Sequence, residues 1–231
     1  MSKLFHLILR YFVVLNLFTF LATANETNML PKYGLIQKNE SEQKADEKFI
    51  AIVKEQYKGN LTKAAEDVAL SGWGYLRQND NMNAMKRFNQ AWLLDNKNGT
   101  ALWGMAVAEQ KRALPTSMAT SMELFTEAEQ YKKEDINFAV DYARAMSFRA
   151  IQLKDLTLLR DALNRYAKIS QKDPNHTLNF QNWAITLYQI GDYKQSWEKI
   201  KLAEATPRKN ELDKIFLEAL ESKMPRSEVN R

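Results

Sequence analysis

The chain has 231 residues, with 33 Lys+Arg against 28 Asp+Glu and a formal charge of +5. Its 45% hydrophobic content is that of a globular protein, and the absence of cysteine excludes disulfides, thiolate nucleophiles and Cys-ligated metal centres. Seven glycines and two histidines weigh against a turn-rich β-sandwich, a Gly-rich nucleotide fold and imidazole-based catalysis or metal binding.

Residues 1–24 read as a secretory signal peptide. Lys3 and Arg10 form a positive start, and residues 11–21 are apolar apart from Asn16 and Thr19. Ala22-Thr23-Ala24 supplies the small-x-small pattern that a signal peptidase accepts. The apolar run is short of the ~20 residues that span a bilayer, and an uncleaved N-terminal anchor is the competing reading. Cleavage removes two basic residues and no acid. An exported chain without cysteine points to a bacterial envelope, so the expected location is periplasmic or secreted, with no transmembrane span after cleavage. No dense basic cluster with interleaved aromatics occurs, so no nucleic-acid partner is expected. Asn-x-Ser/Thr triplets begin at Asn25, Asn39, Asn60, Asn98 and Asn175. Glycosylation there is the less favoured reading, because an Asn-rich composition produces such triplets readily.

Residues 25–40 are polar, carry Pro31 and Gly34, and read as irregular, with Met29, Leu30, Pro31 and Tyr33 packing onto the first helix. Residues 41–64 form an N-terminal helical region. Ala45, Phe49, Ile52, Val53 and Tyr57 recur at helical spacing, Gly59 can end that helix, and Asn60 can cap the next.

From residue 65 to 210 the chain repeats itself. Gly72, Tyr75, Ala84, Phe88 and Ala91 mark a first copy. Ala106, Ser121, Phe125 and Ala128 mark a second, and Ala143, Ala162, Tyr166, Ile169 and Pro174 a third. Ala184, Leu187, Ser196, Ile200, Ala203 and Pro207 mark a fourth, with a turn at Gly191-Asp192-Tyr193. The intervals Phe88 to Ala106, Phe125 to Ala143 and Tyr166 to Ala184 are each 18 residues. Within copies the interval is 16 from Gly72 to Phe88 and from Ala184 to Ile200, 19 from Ala106 to Phe125, and 23 from Ala143 to Tyr166. The joints are fixed and the hairpin tips vary, because stacking geometry is set at the joint. The shorter insertion lies near residues 113–116, where Pro115 forbids continuous helix. The longer lies near residues 151–158 and predicts that both helices of that hairpin gain a turn. Residues 211–224 read as a capping helix, with Leu212, Ile215, Phe216, Ala219 and Leu220 turned to the stack, and residues 225–231 as a loose tail.

This pattern resembles the tetratricopeptide repeat, in which a small residue on one helix faces a small and a bulky residue on the next. The resemblance implies an all-α fold, a right-handed superhelical stack of about four helix-turn-helix repeats with a flanking N-terminal helix and a C-terminal cap. It also implies a groove lined by the first helix of each repeat, at that repeat's second, fifth, ninth and twelfth positions. These are Glu66, Ala69, Trp73 and Leu76 in the first copy, then Thr100, Trp103, Val107 and Gln110. In the third they are Asn137, Val140, Arg144 and Ser147, and in the fourth Leu178, Gln181, Ile185 and Tyr188. Trp73, Trp103, Gln110, Arg144, Gln181 and Tyr188 are the candidate partner contacts, since aromatics and Arg anchor interfaces. Core packing between repeats is the competing reading for each tryptophan.

No catalytic or metal-binding constellation is expected, and no cofactor. His176 is the one histidine after residue 24, beside Asp173-Pro174, where it caps a helix or faces solvent. Glu66/Asp67 and Glu127/Glu129 do not converge on one proton, because close neighbours on a helix point to different faces. No Gly-rich phosphate loop, His-x-x-x-His pair or Gly-x-Ser-x-Gly elbow occurs. The expected function is non-catalytic binding of a protein or peptide, as an adaptor or scaffold of the bacterial envelope. The alternative is a helical cell-wall glycan-binding module or a peptidoglycan hydrolase, which needs two carboxylates about 5–10 Å apart.

Overall fold

The computed structural model describes residues 27–112, 114 and 116–228. The proposed signal segment, Pro115 at the second tip and the last three residues lie outside them. Among the described residues there are ten α-helices and no strand, and the chain divides into two compact units between residues 113 and 114.

The first unit holds α1 (Glu40–Gln56), α2 (Leu61–Arg77), α3 (Asn81–Leu94) and α4 (Gly99–Arg112). Helices α2 and α3 form a tight hairpin, and α4 packs on both. The second unit holds α5 (Ser117–Lys132), α6 (Ile136–Leu153), α7 (Leu156–Lys172), α8 (Thr177–Gln189), α9 (Tyr193–Glu204) and α10 (Lys214–Lys223). Here α6/α7 and α8/α9 are hairpins, α6 also packs on α5 and α8, and α10 rests on α9. In each unit, then, the first helices of successive repeats lie side by side, α2 with α4 and α6 with α8. The fold is an all-α helical-repeat architecture. The second expected hairpin, α4/α5, has one helix in each unit.

Helix boundaries follow local chemistry. A helix start leaves unpaired N–H groups, and an Asn or Asp side chain just before it can accept from one of them. Asn39, Asn60, Asp80, Asn98, Asp135, Asp155, Asp192 and Asp213 all do so. Asn39 and Glu42 complete a capping box. Three of the five Asn-x-Ser/Thr triplets, at Asn39, Asn60 and Asn98, are therefore helix caps, and Asn98 is buried.

The three complete hairpins turn in the same way. Asn79, Lys154 and Gly191 adopt left-handed conformations, with φ of 59°, 56° and 84°, and each precedes an Asp cap. The Asp N–H reaches back five residues, from Asp80 to the carbonyl of Tyr75 at 3.0 Å, Asp155 to Ala150 at 2.9 Å and Asp192 to Leu187 at 2.9 Å. This satisfies last-turn carbonyls that would otherwise be orphaned. At 18 and 17 residues, α6 and α7 exceed the 13 and 12 of α8 and α9, but against the 17 and 14 of α2 and α3 only the second helix is longer by about a turn.

Most of the repeat marks form the core, while Tyr75 is half-buried and Pro174 and Pro207 are exposed. Gly72, Ala84, Phe88, Ala91, Ala106, Ser121, Phe125, Ala128, Ala143, Ala162, Tyr166, Ile169, Ala184, Leu187, Ser196, Ile200 and Ala203 are all buried. Phe88 lies between two glycines of neighbouring helices. A Cβ on Gly72 of α2 would come within 2.5 Å of its ring, and one on Gly104 of α4 within 2.2 Å.

Three stretches differ from expectation. The capping helix begins at Lys214 rather than 211, because Asp213 caps it after a short 3-10 turn at Lys209–Glu211. Its Ile215 is 79% exposed, while Leu212, Phe216 and Leu220 cover the stack. The tail begins as a 3-10 turn, Arg226–Glu228, with Arg226 paired to Glu204 and lying over the Trp197 ring. The segment before α1 packs on α3 and α4. Asn89 donates to the carbonyls of Asn28 and Leu30, both at 2.9 Å, and Arg112 to that of Met29 at 3.1 Å. These bonds hold a 3-10 turn, Pro31–Leu35, in which Lys32, Tyr33, Gly34 and Leu35 all have positive φ.

Candidate functional site

The predicted groove positions of the first unit meet in pairs across the α2/α4 seam. Glu66 of α2 accepts from Asn98 Nδ2 at 3.0 Å and from Thr100 Oγ1 at 2.9 Å, so both its oxygens are bound at the start of α4. One turn pair further along, the rings of Trp73 and Trp103 are 4.5 Å apart and tilted by 59°. Trp73 donates its indole N–H to the Thr100 carbonyl at 3.2 Å and sets its edge against Phe88 at 6.0 Å. Both indoles are half-buried. Gln110, near the end of α4, is also half-buried, and Lys111 beside it reaches Asn79 Oδ1 at 3.3 Å.

The three candidates of the second unit have different surroundings. Arg144 of α6 is exposed, its guanidinium 5.4 Å from the Phe148 ring. Gln181 of α8 is buried, and its Oε1 accepts the Asp213 N–H at 2.7 Å, which fixes the start of α10. Tyr188 is half-buried, 5.4 Å from the Tyr193 ring and 5.7 Å from Phe216 of α10. The structure thus brings Trp73 and Trp103 together, leaves Arg144 open to solvent, and engages Gln181 and Tyr188 with the capping region.

A buried polar chain crosses the α6/α8 seam. Thr186 donates to Ser147 Oγ at 3.0 Å, and Ser147 lies 3.3 Å from the Tyr166 hydroxyl. Burial pushes the Tyr166 phenol up to about 12, against the smaller opposing effect of these hydroxyls. The phenol stays neutral and acts as a structural partner. At the start of the same seam, His176 caps α8 and touches Asn137 of α6.

Sequence reasoning missed Gly104, Asn89 and the Glu66–Thr100 bond. Gly104 was concealed because the repeat pattern assigns the small position of that helix to Ala106. Asn89 and Glu66 act on partners 59 and 34 residues away in sequence, which no local periodicity reports.

The described residues define an all-α helical-repeat protein. No model of a known protein family matches the chain, and no curated protein is significantly similar to it. No helix of the described residues is long and apolar enough to cross a membrane.

Proposed function

We propose that this chain is an exported, tetratricopeptide-like adaptor that binds a protein or peptide segment through the first helices of its repeats, without catalysing a reaction. The Trp73–Trp103 pair carries the reading. Two half-buried indoles from successive first helices sit side by side, with the Trp73 N–H satisfied internally. Such a pair offers a rigid apolar contact at little entropic cost to a bound chain, and tryptophan and arginine dominate measured interface energies. Arg144 is the exposed cation on a first helix of the second unit. Export rests on the charged start, apolar run and Ala22-Thr23-Ala24 of the first 24 residues.

The test is retention of envelope proteins by the chain from residue 25 onward, beside a Trp103→Ala/Arg144→Ala variant whose helicity and melting are checked. The adaptor reading expects a protein held by the native chain and at least tenfold weaker binding by the variant, as loss of one or two anchors implies. Equal retention by a folded variant contradicts it.

A further inference from the structure

The joint between α7 and α8 is held by the one histidine of the described residues. Nδ1 of His176 accepts the Asn179 N–H at 3.2 Å, so it carries no proton. The ring proton is on Nε2, which donates to Oδ1 of Asn137, at the start of α6, at 3.1 Å. One neutral imidazole therefore caps α8 and ties it to α6. The other side-chain caps in the described residues are Asn or Asp.

A second ring proton goes to Nδ1. It removes the acceptor, sets one N–H against another, and places a positive charge at the positive end of the α8 dipole. The charged groups around the joint do not neutralise it. Asp173, just after α7, is the acid that favours the imidazolium, but burial of the ring outweighs it. Arg208, beyond α9, opposes it and is paired with Glu211. Glu134 and Asp135, just before α6, are paired with Lys172 and Lys132.

We infer that the start of α8 is acid-sensitive: protonation of His176 at Nδ1 uncaps α8 and loosens its first turn, while the Nε2–H stays on Asn137 of α6. Burial, the largest influence on the ring, holds its pKa below the usual 6.5. The folded state then binds the proton less tightly than the unfolded state. Its contribution to stability is complete above about 6.5 and is lost as pH falls through that value toward the folded pKa. The device lies in the fold itself and does not depend on the identity of a partner.

The test compares the purified protein with His176→Asn, which keeps a capping side chain that does not titrate. The imidazole resonance of His176, assigned by its loss in the variant, titrates below 6.5. Hydrogen-exchange protection of the Asn179 amide, corrected for intrinsic rate, falls several-fold between about pH 7.5 and about pH 5.5 in the native protein and holds in the variant. Carboxylate titration is common to both proteins, so the difference isolates the ring. A His176 pKa at or above 6.5, or the same acid-dependent loss in the variant, overturns the inference.

Discussion

Phe88 is held from two sides by backbone that carries no side chain. Its ring fills the gap at Gly72 on its own hairpin and the gap at Gly104 on the next helix, where an added Cβ would come within 2.5 and 2.2 Å. Helices approach closely only where one lacks bulk, so one aromatic locks three helices of the first unit. Gly104→Ala therefore overpacks this point and costs about 1–3 kcal/mol, measurable by urea denaturation. Phe88→Leu removes the ring atoms that the new methyl meets. The double variant is expected to be less destabilised than the sum of the two single changes, and strict additivity would contradict the contact. Gly72 was legible because it occupies the repeat's small position. Gly104 was not, because the gap it fills belongs to the neighbouring repeat's aromatic.

Hairpins are the elements on which sequence and structure agree best, and the reason lies in their tips. Each complete tip is a left-handed residue followed by an Asp cap, at Asn79-Asp80, Lys154-Asp155 and Gly191-Asp192. Gly191 and the Asp caps announce the turn in the sequence, whereas Lys154 does not, since lysine has no preference for that region. Left-handed backbone costs a residue with a Cβ about 1–2 kcal/mol. Lys154→Gly should therefore raise stability by about 1 kcal/mol in chemical denaturation, and an unchanged or lower midpoint would show the tip is not strained. Expectations failed where an element answers to distant residues. Ile215 fits the helical apolar pattern, yet α10 starts later than expected, at a cap positioned by Gln181, and turns Ile215 to solvent. The segment before α1 was expected on α1, to which Lys38 ties it by pairing with Asp46 and lying over the Tyr33 ring, but Asn89 and Arg112 also bond it to α3 and α4.

Over the whole chain, one design recurs in both units: first helices meet along seams whose residues were expected to face a groove. Glu66 meets Thr100 and Trp73 meets Trp103, while the expected groove residue Ser147 meets Thr186, which was not an expected groove position. Repeat spacing located all of these but Thr186 on the first helices, but spacing cannot say which ones a seam takes up. Gln181 and Tyr188 show this most plainly, since α10 and its cap engage both. Arg144, with its charge in solvent, is left as the cleanest reporter of the proposed binding face. The most direct measurement replaces Arg144 by a photo-crosslinking residue in the producing cells, beside the same replacement at Lys168, which is exposed on α7, a second helix. The adaptor account predicts a discrete protein adduct from position 144 and none from 168. Adducts of equal yield from both positions, or from 168 alone, would contradict it.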